Sequence, residues 1–280
     1  LKQTKTKKLN HCVAVCDRFC PIFSDRLCKL PEIVWHCINL ECFLITRDYR
    51  MKIPKLPPTD YTGTVNVIIP AHNEESAIPK VLADIPRDWV RETVVVSNRS
   101  TDRTREVALA AGATVHDEPN MGYGYACLKG LSYLEGKMTD YDIVVFLDGD
   151  YSDYPGELPS LVSPIMRGDY DFVLGSRTLG KRESKSLTPQ QLFGNWLATT
   201  LIAWLFGVRY TDLGPFRAIR WGNLKDLHME DKTYGWTVEM QLKAAKKKLR
   251  ILELPVSYRV RIGKSKVSGT VKGTVLAGVK

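Results

Sequence analysis

The stretch FLDGDYSDYP, residues 146–155, sets Asp148, Asp150 and Asp153 directly behind the apolar run IVVFL at 143–147. Carboxylates this close repel one another, so a positive partner is expected between them. Asp148 and Asp150 are two residues apart. At a strand end, positions i and i+2 point to one side, so both carboxylates can face one site. Hard oxygen donors without histidine or thiolate suit Mg²⁺ or Mn²⁺. Such an ion relieves the repulsion, bridges to a diphosphate and stabilises a departing nucleoside diphosphate as a Lewis acid. Asp150 is the expected direct ligand. Asp153 is a weaker third candidate, expected at the solvent surface. The alternative is a solvated acidic turn ahead of a helix near Pro155.

A site of this kind needs elements that bring several loops to one rim. From Thr64 onward the chain alternates strand, loop and helix. TVNVIIP (64–70), ETVVVS (92–97), ATVHD (113–117), DIVVFLD (142–148) and DFVLGS (171–176) are predicted strands, most of them continuous β-branched or apolar runs. EESAIPKVLADI (74–85) is a predicted helix capped by Asn73 and weakened by Pro79. STDRTREVALAAG (100–112) is a predicted helix with a Ser cap and a terminal Gly. A third helix is predicted over 122–136. This rhythm predicts an α/β fold with a mostly parallel sheet covered by helices on both faces. Ligands of such sheets bind at the carboxyl ends of the strands, so 70–75, 97–101 and 148–153 should converge.

The chain has 280 residues, 44% hydrophobic and 25% charged, which is ample for a core. Its net charge of +9 favours anionic partners. Nucleic acid is excluded for want of any recognition motif. No run reaches the roughly 20 apolar residues of a spanning helix, and no secretory signal is evident. Six of the seven cysteines fall at 12, 16, 20, 28, 37 and 42, leaving the remainder nearly cysteine-free, as a reducing compartment allows. Residues 1–50 are set apart as an unassigned extension. They lack the paired spacing of a zinc module, and Met51 opens what looks like a natural start.

Seven segments in order carry a resemblance: VIIPAHNEE, VVVSNRSTDRT, VVFLDGDYSDYPGEL, VLGSR, TDLGPFRAI, YGWTVEMQLKA and PVSYRVRIGKSKVSG. Together, over about residues 62–280, they resemble family 2 glycosyltransferases, and within them the dolichyl- or polyprenyl-phosphate mannose (or glucose) synthase-like branch. The resemblance implies a GT-A (Rossmann-like) fold over 51–280, a GDP- or UDP-hexose donor, a Mg²⁺ or Mn²⁺ cofactor, and inverting transfer. Pro70, His72 and Glu74 match its nucleotide pocket, with His72 where the family usually carries Tyr. Asp148 and Asp150 match its D-x-D pair. Its second motif usually reads D-N-G-S or D-D-G-S. Here it is Ser97-Asn98-Arg99-Ser100, so the base-pairing Asp is Ser97 and a turn Gly is Arg99. Asn98 is left as the candidate for a base edge, while Asp102 and Thr104 keep the expected types.

The loop 175–191 offers Arg177, Lys181, Arg182 and Lys185 to a phosphate, and the resemblance makes it an acceptor loop. The apolar, Trp-bearing segment 192–208 suits a membrane interface. Asp212 is expected near the acceptor, and Glu239 as a base or an orienting group. Arg261 and Lys266, in RIGKSK, are expected to stabilise charge on the leaving group or the acceptor phosphate. The function expected is hexosyl transfer to a polyprenyl phosphate or other lipid, by a cytoplasmic enzyme peripheral to an anionic membrane's inner face. The alternatives are a soluble or cell-wall hydroxyl acceptor, or a degenerate non-catalytic nucleotide-sugar-binding protein.

Overall fold

A computed structural model describes residues 60–263. Expectations for residues 1–50, Met51 and Lys266 therefore lie outside the described residues. The described chain builds a seven-stranded sheet in the order β3-β2-β1-β4-β6-β5-β7. The strands are β1 (Val65–Ala71), β2 (Glu92–Asn98), β3 (Thr114–Glu118), β4 (Ile143–Phe146), β5 (Phe172–Ser176), β6 (Arg217–Arg220) and β7 (Ile251–Pro255). β1 pairs in parallel with β2 and β4, β2 with β3, and β5 with β7. β6 runs antiparallel between β4 and β5, so it alone reverses direction. The carboxyl ends of the other six strands share one edge. The amino end of β6, beginning with Arg217, joins them there.

The expected strands all form, because their side chains are buried on both faces. Val67, Ile68 and Ile69 in β1 and Val94, Val95 and Val96 in β2 are fully buried. Each such side chain contributes about 1.5–3 kcal/mol. The helices are α1 (Ile78–Asp84), α2 (Thr104–Ala110), α3 (Tyr123–Leu134), α4 (Leu158–Met166), α5 (Pro189–Phe206), α6 (Trp221–Leu227) and α7 (Trp236–Lys246). One core joins Ile68, Val96 and Phe146 to Cys127 of α3, Leu224 of α6, and Trp236 and Met240 of α7. Gly130 lets α3 approach the sheet, since a Cβ there would lie 2.8 Å from Cγ2 of Ile68.

Two helix starts correct the sequence reading. α1 begins at Ile78, not at residue 74, and Pro79 sits in its first turn, where a missing N–H costs nothing. Asn73 and Ser100 are not caps. α2 begins at Thr104, and both residues instead hold the two preceding loops together.

Candidate active site

The loops after β1 and β2 are joined by uncharged donors. The Asn73 amide donates to Oγ of Ser100 at 3.1 Å, and the Thr101 amide donates to Oδ1 of Asn73 at 2.8 Å. The Glu74 amide donates to Oγ1 of Thr104 at 2.8 Å, and the Glu75 amide to Oδ2 of Asp102 at 3.2 Å. Pro70 lies within β1 opposite Val96. His72 places Nδ1 2.7 Å from the Asn98 carbonyl, which only accepts, so Nδ1 carries the proton. This stitching holds Glu74 buried, 7% exposed, at the rim.

Asn98 ties the end of β2 to the start of α3. Its amide group donates to the carbonyls of Glu118 (3.3 Å) and Asn120 (2.6 Å), and its Oδ1 accepts the Gly122 amide at 2.9 Å. Both ends of the side chain thus brace the start of α3. Ser97 is buried beside it. Arg99 adopts φ 56°, the left-handed conformation that the usual glycine would take without strain.

The aspartates lie where β4 ends. Oδ1 of Asp150 accepts the amide of Ser152 at 2.9 Å and its hydroxyl at 2.5 Å. Its Oδ2 faces the NH2 of Arg261 at 3.2 Å. Asp148 is partly exposed, and burial followed by the charge of Asp150 pushes its carboxyl up to about 7. Asp153 is 1% exposed, so its expected solvation is wrong. A bridge to Tyr258 covers it. Burial, then the charges of Asp148 and Asp150, raise its carboxyl well above the usual range. Its Oδ1 is buried without a hydrogen-bond partner.

Residues 256–262, which follow β7, run between the aspartate loop and the loop after β5. The Arg259 amide donates to the Ser152 carbonyl at 2.9 Å and the Ile262 amide to the Asp150 carbonyl at 3.0 Å. On the other side, the Tyr258 amide donates to the Lys181 carbonyl and the Glu183 amide to the Tyr258 carbonyl, both at 2.9 Å. Gly180 permits the approach, because any Cβ there would collide with the Val256 carbonyl. Arg259, which the sequence did not single out, clamps this crossing. Its guanidinium lies 3.3 Å from the Tyr151 ring centroid and 4.1 Å from that of Tyr154. It donates to the carbonyls of Tyr151 (2.6 Å) and Asp153 (2.9 Å). Tyr151 itself sits at φ 65°, and its hydroxyl donates to Asp84 at 2.8 Å. The clamp delivers Arg261, whose NH2 lies 3.3 Å from Glu74 and 3.2 Å from Asp150. Glu74, Asp150 and Arg261 therefore meet in one cleft, as expected.

The acceptor side is built from charges. Arg177 donates from Nε and NH2 to the two carboxylate oxygens of Asp212, each at 2.7 Å. Burial opposes the Arg177 charge, yet Asp212 holds its proton more firmly than usual. The pair ties the loop after β5 to the loop before β6 through Nε and NH2 of the guanidinium. The Glu253 carboxylate accepts the amides of Thr211 and Asp212. Below it the fully buried Arg217 donates to the carbonyls of Thr237 (3.0 Å) and Gly214. Arg182, Lys181 and Lys185 are exposed. Glu239 accepts the amides of Glu230 (2.9 Å) and Asp231 (2.8 Å) and pairs with Lys243 at 2.8 Å. These contacts brace the loop ahead of α7.

Among the described residues no group of three or more His, Cys, Asp or Glu side chains is arranged to hold a metal by itself. The residues nevertheless fit a divalent ion that takes its remaining ligands from a diphosphate. The donors are hard oxygens, the carboxyls of Asp148 and Asp153 are raised first by burial and then by their like-charged neighbours, and Oδ1 of Asp153 has no hydrogen-bond partner.

The profile of the family described as glycosyl transferase family 2 matches residues 66–227. The chain belongs to glycosyl transferase family 2. It is 36% identical over 221 residues to an uncharacterised glycosyltransferase of Mycobacterium tuberculosis, covering 76% of this chain and 94% of the relative. It is 33% identical over 223 residues to a dolichyl-phosphate hexose transferase of Haloferax volcanii, covering 78% and 93%. It is 29% identical over 228 residues to an undecaprenyl-phosphate mannosyltransferase of Micrococcus luteus, covering 77% and 92%. The fold matches glucosyl-3-phosphoglycerate synthase of M. tuberculosis, crystallised with Mn²⁺, UDP and phosphoglyceric acid. The TM-score is 0.60 at 22% identity, over 78% of this chain and 75% of that one. The protein is a glycosyltransferase of GT-A-like fold, in which the strand-end edge described above is the candidate active site.

Proposed function

We propose that this glycosyltransferase moves a hexose, mannose or glucose, from a GDP- or UDP-sugar to a polyprenyl phosphate. It would work at the cytoplasmic face of an anionic membrane. The observation that carries the lipid acceptor is the outer face of α5, which leaves a run of large apolar side chains exposed while Thr199 and Ile202 pack inward. Two of its polar residues face the protein: Asn195 bonds Thr211 and Leu213 of the loop before β6, and Thr199 is buried. Its large apolar residues face outward. Trp204 is 80% exposed, and Phe193, Trp196, Leu197, Leu201 and Leu205 share that outward stripe. An apolar stripe with two tryptophans beside the exposed Lys181, Arg182 and Lys185 suits lipid tails below anionic head groups. No helix among the described residues is long and apolar enough to cross a membrane. Two relatives named for polyprenyl-type phosphate acceptors support the same reading.

In this reading Glu74 and the loops stitched around it receive the nucleotide, and Asp148 and Asp150 face its diphosphate. A divalent ion bound there would supply Lewis-acid stabilisation of the leaving nucleoside diphosphate. Arg261 adds a fixed positive charge on the same side. A phosphate acceptor is already anionic at neutral pH and needs no general base, in keeping with a Glu239 carboxylate occupied by backbone amides. Lys181, Arg182 and Lys185 guide the acceptor phosphate, and in-line attack at the anomeric carbon inverts it. A second reading, transfer to a soluble phosphorylated acceptor, is favoured by the fold match to a synthase crystallised with phosphoglyceric acid. The test offers labelled GDP-mannose, GDP-glucose and UDP-glucose with a short polyprenyl phosphate or with 3-phosphoglycerate. Label in the organic phase is the expected result, and label only in the soluble product selects the second reading.

A further inference from the structure

We propose that Arg261 occupies the cation's place on Asp150 until the donor binds, and that donor loading turns its guanidinium from the carboxylates to the diphosphate. The inference rests on the metal-dependent reading above. Asp150 has one oxygen committed, since Oδ1 is bound by the amide and hydroxyl of Ser152. Oδ2 is the oxygen left for a cation, and the Arg261 NH2 covers it at 3.2 Å.

The contact is not the end state a guanidinium favours. Arginine binds carboxylates best as a two-pronged fork on one partner, as Arg177 does on Asp212. Arg261 instead makes single-point contacts to two different acids, Glu74 and Asp150, and its Nε is buried with no hydrogen-bond partner. Both acids are 8% exposed at the side chain, so neither is neutralised by solvent. The backbone below is pinned, because the Ile262 amide bonds the Asp150 carbonyl and Arg259 is clamped. Only the Arg261 side chain has to move.

Two consequences follow from charge alone. A divalent ion arriving without nucleotide competes with Arg261 for Asp150. An ion arriving with a nucleoside diphosphate gives the displaced guanidinium a new anionic partner, so ion and nucleotide strengthen each other's binding by the same factor. Removing the positive charge therefore acts in opposite directions on the two ligands. An arginine that bound phosphate without touching Asp150 would, on removal, weaken the nucleotide and leave the ion nearly unchanged.

The experiment titrates MnCl₂ into the full chain and reads free Mn²⁺ by electron paramagnetic resonance, alone and with saturating UDP or GDP. Arg261→Gln should bind Mn²⁺ alone roughly tenfold tighter than the wild type, and the nucleotide-Mn²⁺ pair roughly tenfold weaker. Arg261→Lys, which keeps the charge, should return Mn²⁺ binding toward the wild-type value, and melting curves on the same samples check that each variant is folded. Equal Mn²⁺ affinity in wild type and Arg261→Gln overturns the place-holder while leaving the metal-dependent reading intact. No Mn²⁺ binding by either protein, even with nucleotide, overturns both.

Discussion

The two sides of the strand-end edge are held together differently. On the donor side, the loops after β1 and β2 are stitched by hydroxyls, amides and short carboxylate turns within 72–104. On the acceptor side, buried arginines carry the load: Arg177 on Asp212, and Arg217 on the carbonyls before and within α7. Stitching of this kind, mostly backbone amides on side-chain oxygens, fixes the shape of the two loops. Buried ion pairs cost desolvation and specify one geometry rather than add net stability. Arg259 joins the two sides, since it belongs to the segment after β7 yet holds the aspartate loop.

Breaking that joint should have the largest effect. Arg259→Ala removes both ring contacts and the bonds to the Tyr151 and Asp153 carbonyls. It should lower kcat/KM by about 100-fold through misplacement of Asp150 and Arg261, as measured by steady-state transfer assays on folded protein. On the acceptor side, Arg217→Leu orphans buried carbonyls and should cost about 3 kcal/mol of stability in urea titrations. At the other end of β4, Asp142 tests the parallel half. Burial raises its carboxyl pKa, but bonds from Thr64 and Thr139 prevail and hold it below the usual value. Its contribution is present above the unfolded pKa of about 4 and is lost as pH falls through the lower folded value. Asp142→Asn should cost about 2 kcal/mol at pH 7, and it should flatten the stability loss below about pH 4. The smallest effect belongs to the donor loop. Arg99→Gly should relieve the φ of 56°. Melting and urea curves should rise by about 0.5–1 kcal/mol, sharpening the view that this loop is set by backbone shape.

Sequence reading served the parallel half better. β1, β2 and β4 are continuous apolar runs, and such runs are strands when both faces are covered. β6 and β7, which read RAIR and ILELP, went unrecognised because charged residues interrupt the pattern. Arg217 is fully buried in β6, a position whose cost only tertiary bonds to carbonyls can offset. The D-x-D pair stood out by its spacing, and the resemblance pointed to Glu74 and Arg261; the structure sets Arg261 3.3 Å from Glu74 and 3.2 Å from Asp150. The burial of Asp153 was not legible, because the Tyr258 segment that buries it lies about a hundred residues away in the chain. Arg259 was hidden for the same reason. In RVRIGK it is one cation among three, and nothing local separates a clamped guanidinium from a solvated one. The bracing contacts of Asn98 were equally hidden, since its type fits a base edge while the turn at 118–122 engages both ends of its side chain.

The central claim is that the aspartate loop activates a sugar nucleotide for transfer to a lipid phosphate. Its most direct test is the rate at which label from a nucleotide sugar enters short polyprenyl phosphate, comparing wild type with Asp150→Asn under saturating Mn²⁺. The account predicts organic-phase product from the wild type and a fall of roughly 1000-fold in the variant, whose fold is kept. Product formation that is unchanged in Asp150→Asn would contradict it.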